Sequence, residues 1–190
     1  MIETLVAITM LTLAVSAPLT LAGRSLIAAN YAKDQVTAFN LAQEAIEVVR
    51  SLRDRQLICI AHGVSVSGVC ATSDDWLTHI RDVSGSLVGT TASPQNFTVN
   101  TNTGVLTRCT GSGGACSPLN FQASTGFYTY DSGAGYTASR FTRTVTVTRR
   151  DAPATGQATI RSVVTWTSGA LGSTRTVSIE EDILQWVPSI

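Results

Sequence analysis

Lysine is almost missing from this chain: Lys33 is the only one among 13 basic residues. Acidic residues also number 13, so the formal net charge is zero. Charge therefore gives no basic surface and no specific signal for nucleic acid. Charged residues make up 14% of the 190 positions, against the ~25% usual in soluble domains. No Cys-x-x-Cys occurs among the four cysteines, and the two histidines, His62 and His79, complete no zinc-ligand pattern. No Ser-His-Asp or Cys-His arrangement carries a local signature. No enzymatic activity, cofactor or metal is expected. The chain has instead 27 Thr and 19 Ser, which with so few charges reads as a β-rich extracytoplasmic domain.

Charge is also unevenly placed. Glu3 and Arg24 bracket 20 residues, Thr4–Gly23, without one charged side chain. As a helix they would span roughly 30 Å, the thickness of a bilayer core. Residues 1 to about 57 read as one long helix. Its first half is apolar all round, with Pro18 inside it as an expected kink. Its second half is amphipathic. Phe39, Ala42, Ile46 and Val49 step by helical spacing, and Ala38, Ala45, Val48 and Leu52 widen the face. Glu47 and Arg50 are placed for one favourable pair. The chain thus divides into an apolar half-helix, 1–23, an amphipathic half-helix, 24–57, and an extracytoplasmic globular region, 58–190.

The globular region reads as short strands followed by three long ones. Phe97–Asn100 and Gly126–Tyr130 are strand candidates. Phe141–Arg149 alternates strictly with four threonines, so Val145 and Val147 are expected to face inward. Ala158–Thr167 places Ile160, Ser162, Val164 and Trp166 on one face, and Thr174–Ile183 completes an antiparallel meander. A helix with one apolar stripe and a sheet needing a cover give an α+β fold, the amphipathic half-helix packed on the antiparallel sheet. Outside the membrane, four cysteines suggest two disulfides. Of the three possible connectivities, local pairing is expected: Cys59 with Cys70, and Cys109 with Cys116. Asp74 and Asp75 read as acids opening a short helical turn around Trp76 rather than as a catalytic dyad. Glu180, Glu181 and Asp182 read as solvated or edge-protecting charge, and a calcium site there lacks enough acids. Asn96-Phe97-Thr98 matches the glycosylation triplet. Trp76, Trp166 and Trp186 read most simply as core or helix–sheet contacts, with Trp186 near the C-terminus placed to close the domain; an exposed one would instead mark a partner surface.

Met1-Ile2-Glu3-Thr4-Leu5-Val6-Ala7-Ile8-Thr9 resembles the N-terminus of type IV pilins and pseudopilins, where a glutamate opens an apolar helix. Asn40-Leu41-Ala42-Gln43-Glu44-Ala45-Ile46-Glu47-Val48-Val49-Arg50 is similar to the amphipathic helix of minor pilins of the pilus-modification type. Val163-Val164-Thr165-Trp166, Thr176-Val177-Ser178-Ile179-Glu180 and Leu184-Gln185-Trp186 resemble the last strands of that group. The likeness covers the first 55 residues well and the last 30 loosely; residues 58–140 contribute nothing to it. It implies a prepilin that a membrane prepilin peptidase cleaves and N-methylates. The protein would sit in the inner membrane before assembly and in a cell-surface filament afterwards, its partners being other pilin subunits. It assigns Glu3 to pairing with the N-terminal amine of a neighbouring subunit. In register, Met1 and Ile2 match the third and fourth residues of a mature family chain, so the processed first residue and its preceding glycine are expected upstream. The family's helix proline falls a few residues beyond Pro18.

Other functions are open on the same residues. A type II secretion pseudopilin shares the helix. A secretory signal peptide would need a basic start where Glu3 stands, and Pro18 after Ala17 opposes cleavage. A non-polymerising, single-pass membrane-anchored binding domain would leave Glu3 as an acid favourable to the helix dipole.

Overall fold

The computed structural model describes residues 2–65, 75–90, 92–150, 156–168 and 172–186. Helix α1 spans Ile2–His62, 61 residues, or about 90 Å at 1.5 Å per residue. It ends five residues beyond the expected limit because its stop signal is Gly63, at φ 64°. The Gly63 N–H donates to the Ile60 carbonyl at 3.2 Å and the Val64 N–H to the Cys59 carbonyl at 3.4 Å. This pair of bonds caps the last turn in a Schellman arrangement, which requires a left-handed residue and so selects glycine. The helix is continuous through Pro18, whose missing N–H leaves the Ala14 carbonyl without its helical donor.

Ten strands follow. They are β1 (Arg81–Asp82), β2 (Gly85–Ser86), β3 (Val88–Thr90), β4 (Asn96–Val99), β5 (Leu106–Arg108), β6 (Pro118–Gln122), β7 (Phe127–Thr129), β8 (Tyr136–Arg149), β9 (Gln157–Ser168) and β10 (Ser173–Leu184). β1 and β2 form a small ribbon, and the other eight form one sheet with the path β10-β9-β8-β4-β5. β8, β9 and β10 are the expected antiparallel meander, in unbroken register from Phe141 opposite Trp166 to Arg149 opposite Ala158. β3 lies parallel to β8, and β6 pairs with both β7 and β8.

The C-terminal half of α1 covers β8, β9 and β10. Val145, Val147, Ile160, Val164, Trp166 and Ile183 turn inward, as the period-two pattern requires. Ala45, Ile46, Val49, Leu57 and Ile60 meet Val145, Val147, Ile160 and Ile183 in one apolar cluster, which Phe97, Trp76 and Leu87 extend. Ala38, Leu41 and Ala42 meet Leu119, Phe141, Val164 and Trp166 in a second. Three alanines on the seam let the helix axis approach the sheet, and burying these side chains stabilises the domain at roughly 25 cal/mol per Å² of apolar area.

Two expectations on apolar residues are corrected. Phe39 is 45% exposed. The seam passes through Ala38, and the next residue round the helix points about 100° away. Trp186 is 59% exposed and closes nothing, whereas Trp76 and Trp166 are both 3% exposed core residues. The turn expected around Trp76 is present as a hydrogen-bonded turn, not a helix, with the Asp75 carboxylate accepting the Leu77 N–H at 2.9 Å. Asp74 lies outside the described residues.

Candidate functional site

Every described side chain of α1 from Ile2 to Lys33 is exposed. Leu5, Ile8, Leu11, Leu13, Leu19, Leu26 and Ile27 are among them. The half-helix that precedes the β domain is therefore an apolar surface that no described residue of this chain covers. By length and composition it can cross a membrane. Its polar side chains do not interrupt that surface. Thr9 donates to the Val6 carbonyl at 2.8 Å, Ser16 to Leu13 at 3.1 Å, Thr20 to Ser16 at 2.7 Å and Ser25 to Ala22 at 2.9 Å. Thr12 shares its hydroxyl between the Ile8 and Thr9 carbonyls. Each hydroxyl is satisfied within its own helix, which suits surroundings without water. Glu3, in the first turn, is the one acid on this stretch.

From Asp34 onward the helix is held by arginines of the sheet. Arg140 pairs with the buried Asp34 at 2.9 Å, and Arg175 lies over the Tyr31 ring at 5.4 Å. Arg50 joins Glu47 of its own helix, at 2.9 Å, to Glu181 of β10. The hydrogen bond with Glu181, against some desolvation, holds the Arg50 guanidinium above its ordinary pKa. Arg143, fully buried on β8, reaches the Leu41 carbonyl at 2.9 Å, the Glu44 carboxylate at 3.3 Å and the Val99 carbonyl. The Tyr130 ring lies 5.8 Å from its guanidinium carbon. One side chain thereby ties helix, β8 and β4 together. Its position on the inward face follows from strand alternation, but its partners were not foreseen.

Cys109 and Cys116 form a disulfide. Cys59 is disulfide-bonded, and Cys70, its expected partner, lies outside the described residues. Glu180 pairs with Arg161 at 3.0 Å, Glu181 with Arg50, and Asp182 with Arg150 at 3.9 Å. All three stand on β10, which is an edge of the sheet, where charge discourages unwanted strand pairing. Asn96 of the glycosylation triplet donates its Nδ2 to the Gly114 carbonyl at 3.0 Å. His62 ends α1 and His79 lies in the turn before β1.

Two carboxylates set an acid limit. Burial raises the Asp75 pKa, but hydrogen bonds from Arg149 and the Leu77 N–H outweigh it and leave the group below the ordinary carboxylate value. Asp131 is lowered by Asn102, Asn100 and Thr129, which all donate to it. A group with a depressed folded pKa contributes stability that is present above its unfolded value and lost as pH falls through the folded one. Thermal midpoints are accordingly expected to decline from about pH 4 downward. Asp131→Asn is expected to flatten that decline. An equal slope in wild type and variant would remove Asp131 from the account.

A long N-terminal apolar helix whose second half packs on an antiparallel sheet is a pilin-like arrangement. No protein-family model, curated protein or solved structure matches the chain.

Proposed function

We propose that this chain is a structural subunit, of the minor kind, of a type IV pilus-like filament, and that it has no enzymatic activity. The observation that supports this most is the apolar half-helix, exposed along its described length and opened by Glu3. In the inner membrane its side chains lie in lipid. In the filament they lie against the same half-helix of neighbouring subunits, with the β domain outside. Glu3 then pairs with the N-terminal amine of an adjacent subunit. Each charge is costly alone in an apolar core, and each satisfies the other. Prepilin peptidase is the processing partner. A type II secretion pseudopilin would use the same residues, and a single-pass anchored binding domain would leave Glu3 only its favourable place at the positive end of the helix dipole.

The test is Glu3→Ala in cells, read as the ratio of sheared surface material to membrane material. The expected result is at least about a tenfold loss from the surface fraction. That factor corresponds to ~1.4 kcal/mol, a modest share of an unpaired buried charge. The membrane pool and the melting of the β domain remain unchanged. An unaltered ratio would favour the anchored domain.

A further inference from the structure

The sheet splits beside β8. β4 pairs with β8 at Val145 and Thr146, and β6 pairs with it from Thr142 back to Tyr136. Between them Arg143 and Thr144 have no strand partner on that edge among the described residues. The Tyr130 hydroxyl fills part of the gap by donating to the Arg143 carbonyl at 2.9 Å. A crevice of about 640 Å³ opens there, inside the ~300–1,000 Å³ range of small-ligand clefts. Phe97 and Val99 of β4 point into the core, so Thr98 and its cross-strand partner Thr107 point to the opposite face. The crevice therefore opens away from α1, on the side that the apolar half-helix does not occupy.

One wall is rigid. The Cys109–Cys116 disulfide closes its loop, inside which the Gly111 N–H reaches Ala115 at 3.2 Å and the Gly114 N–H reaches Gly111 at 2.8 Å. Asn96 then clamps Gly114 to β4 at 3.0 Å. A cleft held in this way loses little entropy on binding.

The lining selects a chemical class. Arg108 is the single charged side chain among the described lining residues, and Gln95, the Ser86 carbonyl and Asp82 already hold that guanidinium. An anion thus finds no free cation, and a cation finds no carboxylate. The hydroxyls of Thr107, Thr110 and Ser117 make no hydrogen bond among the described residues. Asn120 donates its Nδ2 to the Asp131 carbonyl at 2.9 Å and keeps Oδ1 as an acceptor. The Tyr130 ring borders these groups, one of its faces lying against the buried Arg143 guanidinium. Neutral donors and acceptors around one aromatic ring match a polyhydroxylated ligand with an apolar ring face. We propose that this crevice binds a neutral saccharide. The proposal does not depend on the filament reading.

The experiment is saturation-transfer NMR on the full chain in a zwitterionic micelle, because glycoside detergents would compete. The probes are lactose, maltose, cellobiose and diacetylchitobiose. At least one is expected to receive saturation from the wild type and from Trp186→Ala, a change remote from the crevice. Ser117→Trp and Thr107→Arg, both at exposed positions, are expected to weaken that binding by at least about tenfold at unchanged melting temperature. Should both bulky variants unfold, the paired change Thr110→Ala and Ser117→Ala decides, with a clear loss expected. No transfer to any of the four sugars overturns the proposal, as does transfer that persists in the folded crevice variants. Binding of inorganic sulfate in place of every sugar overturns it too, by converting the crevice to an anion site.

Discussion

Arg143→Ala is expected to lower the unfolding free energy by about 3 kcal/mol, within the range for emptying a large buried site, and the melting temperature by roughly 6–12 °C for a chain of this size. Three effects compete. Removing a buried guanidinium relieves its desolvation, the more so because its Nε has no hydrogen-bond partner among the described residues. Against this, the Val99 carbonyl loses its guanidinium donor inside the core, at ~1–3 kcal/mol. A cavity also opens between α1 and β8, where Arg143 is fully buried. Leu41 loses less, because its carbonyl keeps the helical bond from residue 45. Glu44 loses least: its side chain is 46% exposed, so water replaces the guanidinium there. The orphaned carbonyl and the cavity together outweigh the relieved desolvation. Arg143→Lys is expected to fall between wild type and Ala, since one ammonium cannot span Leu41 and Val99 as a planar fork does. Urea unfolding measures all three proteins. An Ala variant within about 0.5 kcal/mol of wild type, the size of an ordinary surface effect, would show that the arginine does not hold helix to sheet.

The meander and the helix seam were legible in the sequence for a reason that Arg143 also illustrates. Phe141, Arg143, Val145 and Val147 alternate with threonines over a long run, and a period-two pattern names the inward face whatever residue stands on it. It does not say what a charged residue on that face will meet. Arg143 reaches Leu41, Glu44 and Val99 only because β4 and β6 leave β8 at different points, and that depends on pairings between distant segments. Phe39 was misplaced for a related reason. Hydrophobicity ranks phenylalanine above alanine, but close approach of helix to sheet needs the small residue, so Ala38 takes the seam. The helix runs past residue 57 because Leu57 and Ile60 carry the buried seam on at helical spacing until Gly63 stops it.

Of the candidate sites, Glu3 and the apolar run could be read directly, since both are local patterns. The crevice could not be. Its lining comes from β4, β5, the disulfide loop, β6 and Tyr130, and each piece by itself is an ordinary short strand or loop. The disulfide was foreseen from spacing and loop composition, but its position over a split in the sheet depends on the fold.

Deleting residues 1–27 is expected to leave the β domain folded, with its melting temperature within about 2 °C, the shift produced by about 0.5–1 kcal/mol in a chain of this size. The described side chains up to Lys33 are exposed, and the first buried helix residue is Asp34, held by Arg140. A chain starting at Ala28 keeps that pair and the Tyr31 ring under Arg175, with one helical turn left to fray ahead of them. A deletion carried through Val49 also removes Ala38, Leu41, Ala42, Ala45 and Ile46. It uncovers Phe141, Val145, Val164 and Trp166, and no folded domain is expected. The reciprocal change is Leu13→Arg in the full chain. A charge at the middle of an inserted helix costs ~2.5–3.5 kcal/mol, while position 13 touches nothing in the β domain. This variant is expected to leave the membrane fraction and to melt like wild type. Fractionation and a thermal melt on the same samples read both quantities at once. If the short deletion unfolds the domain, the apolar half-helix belongs to the fold and is not free for a membrane or a neighbouring subunit. If Leu13→Arg stays fully membrane-associated, the apolar run is not the anchor.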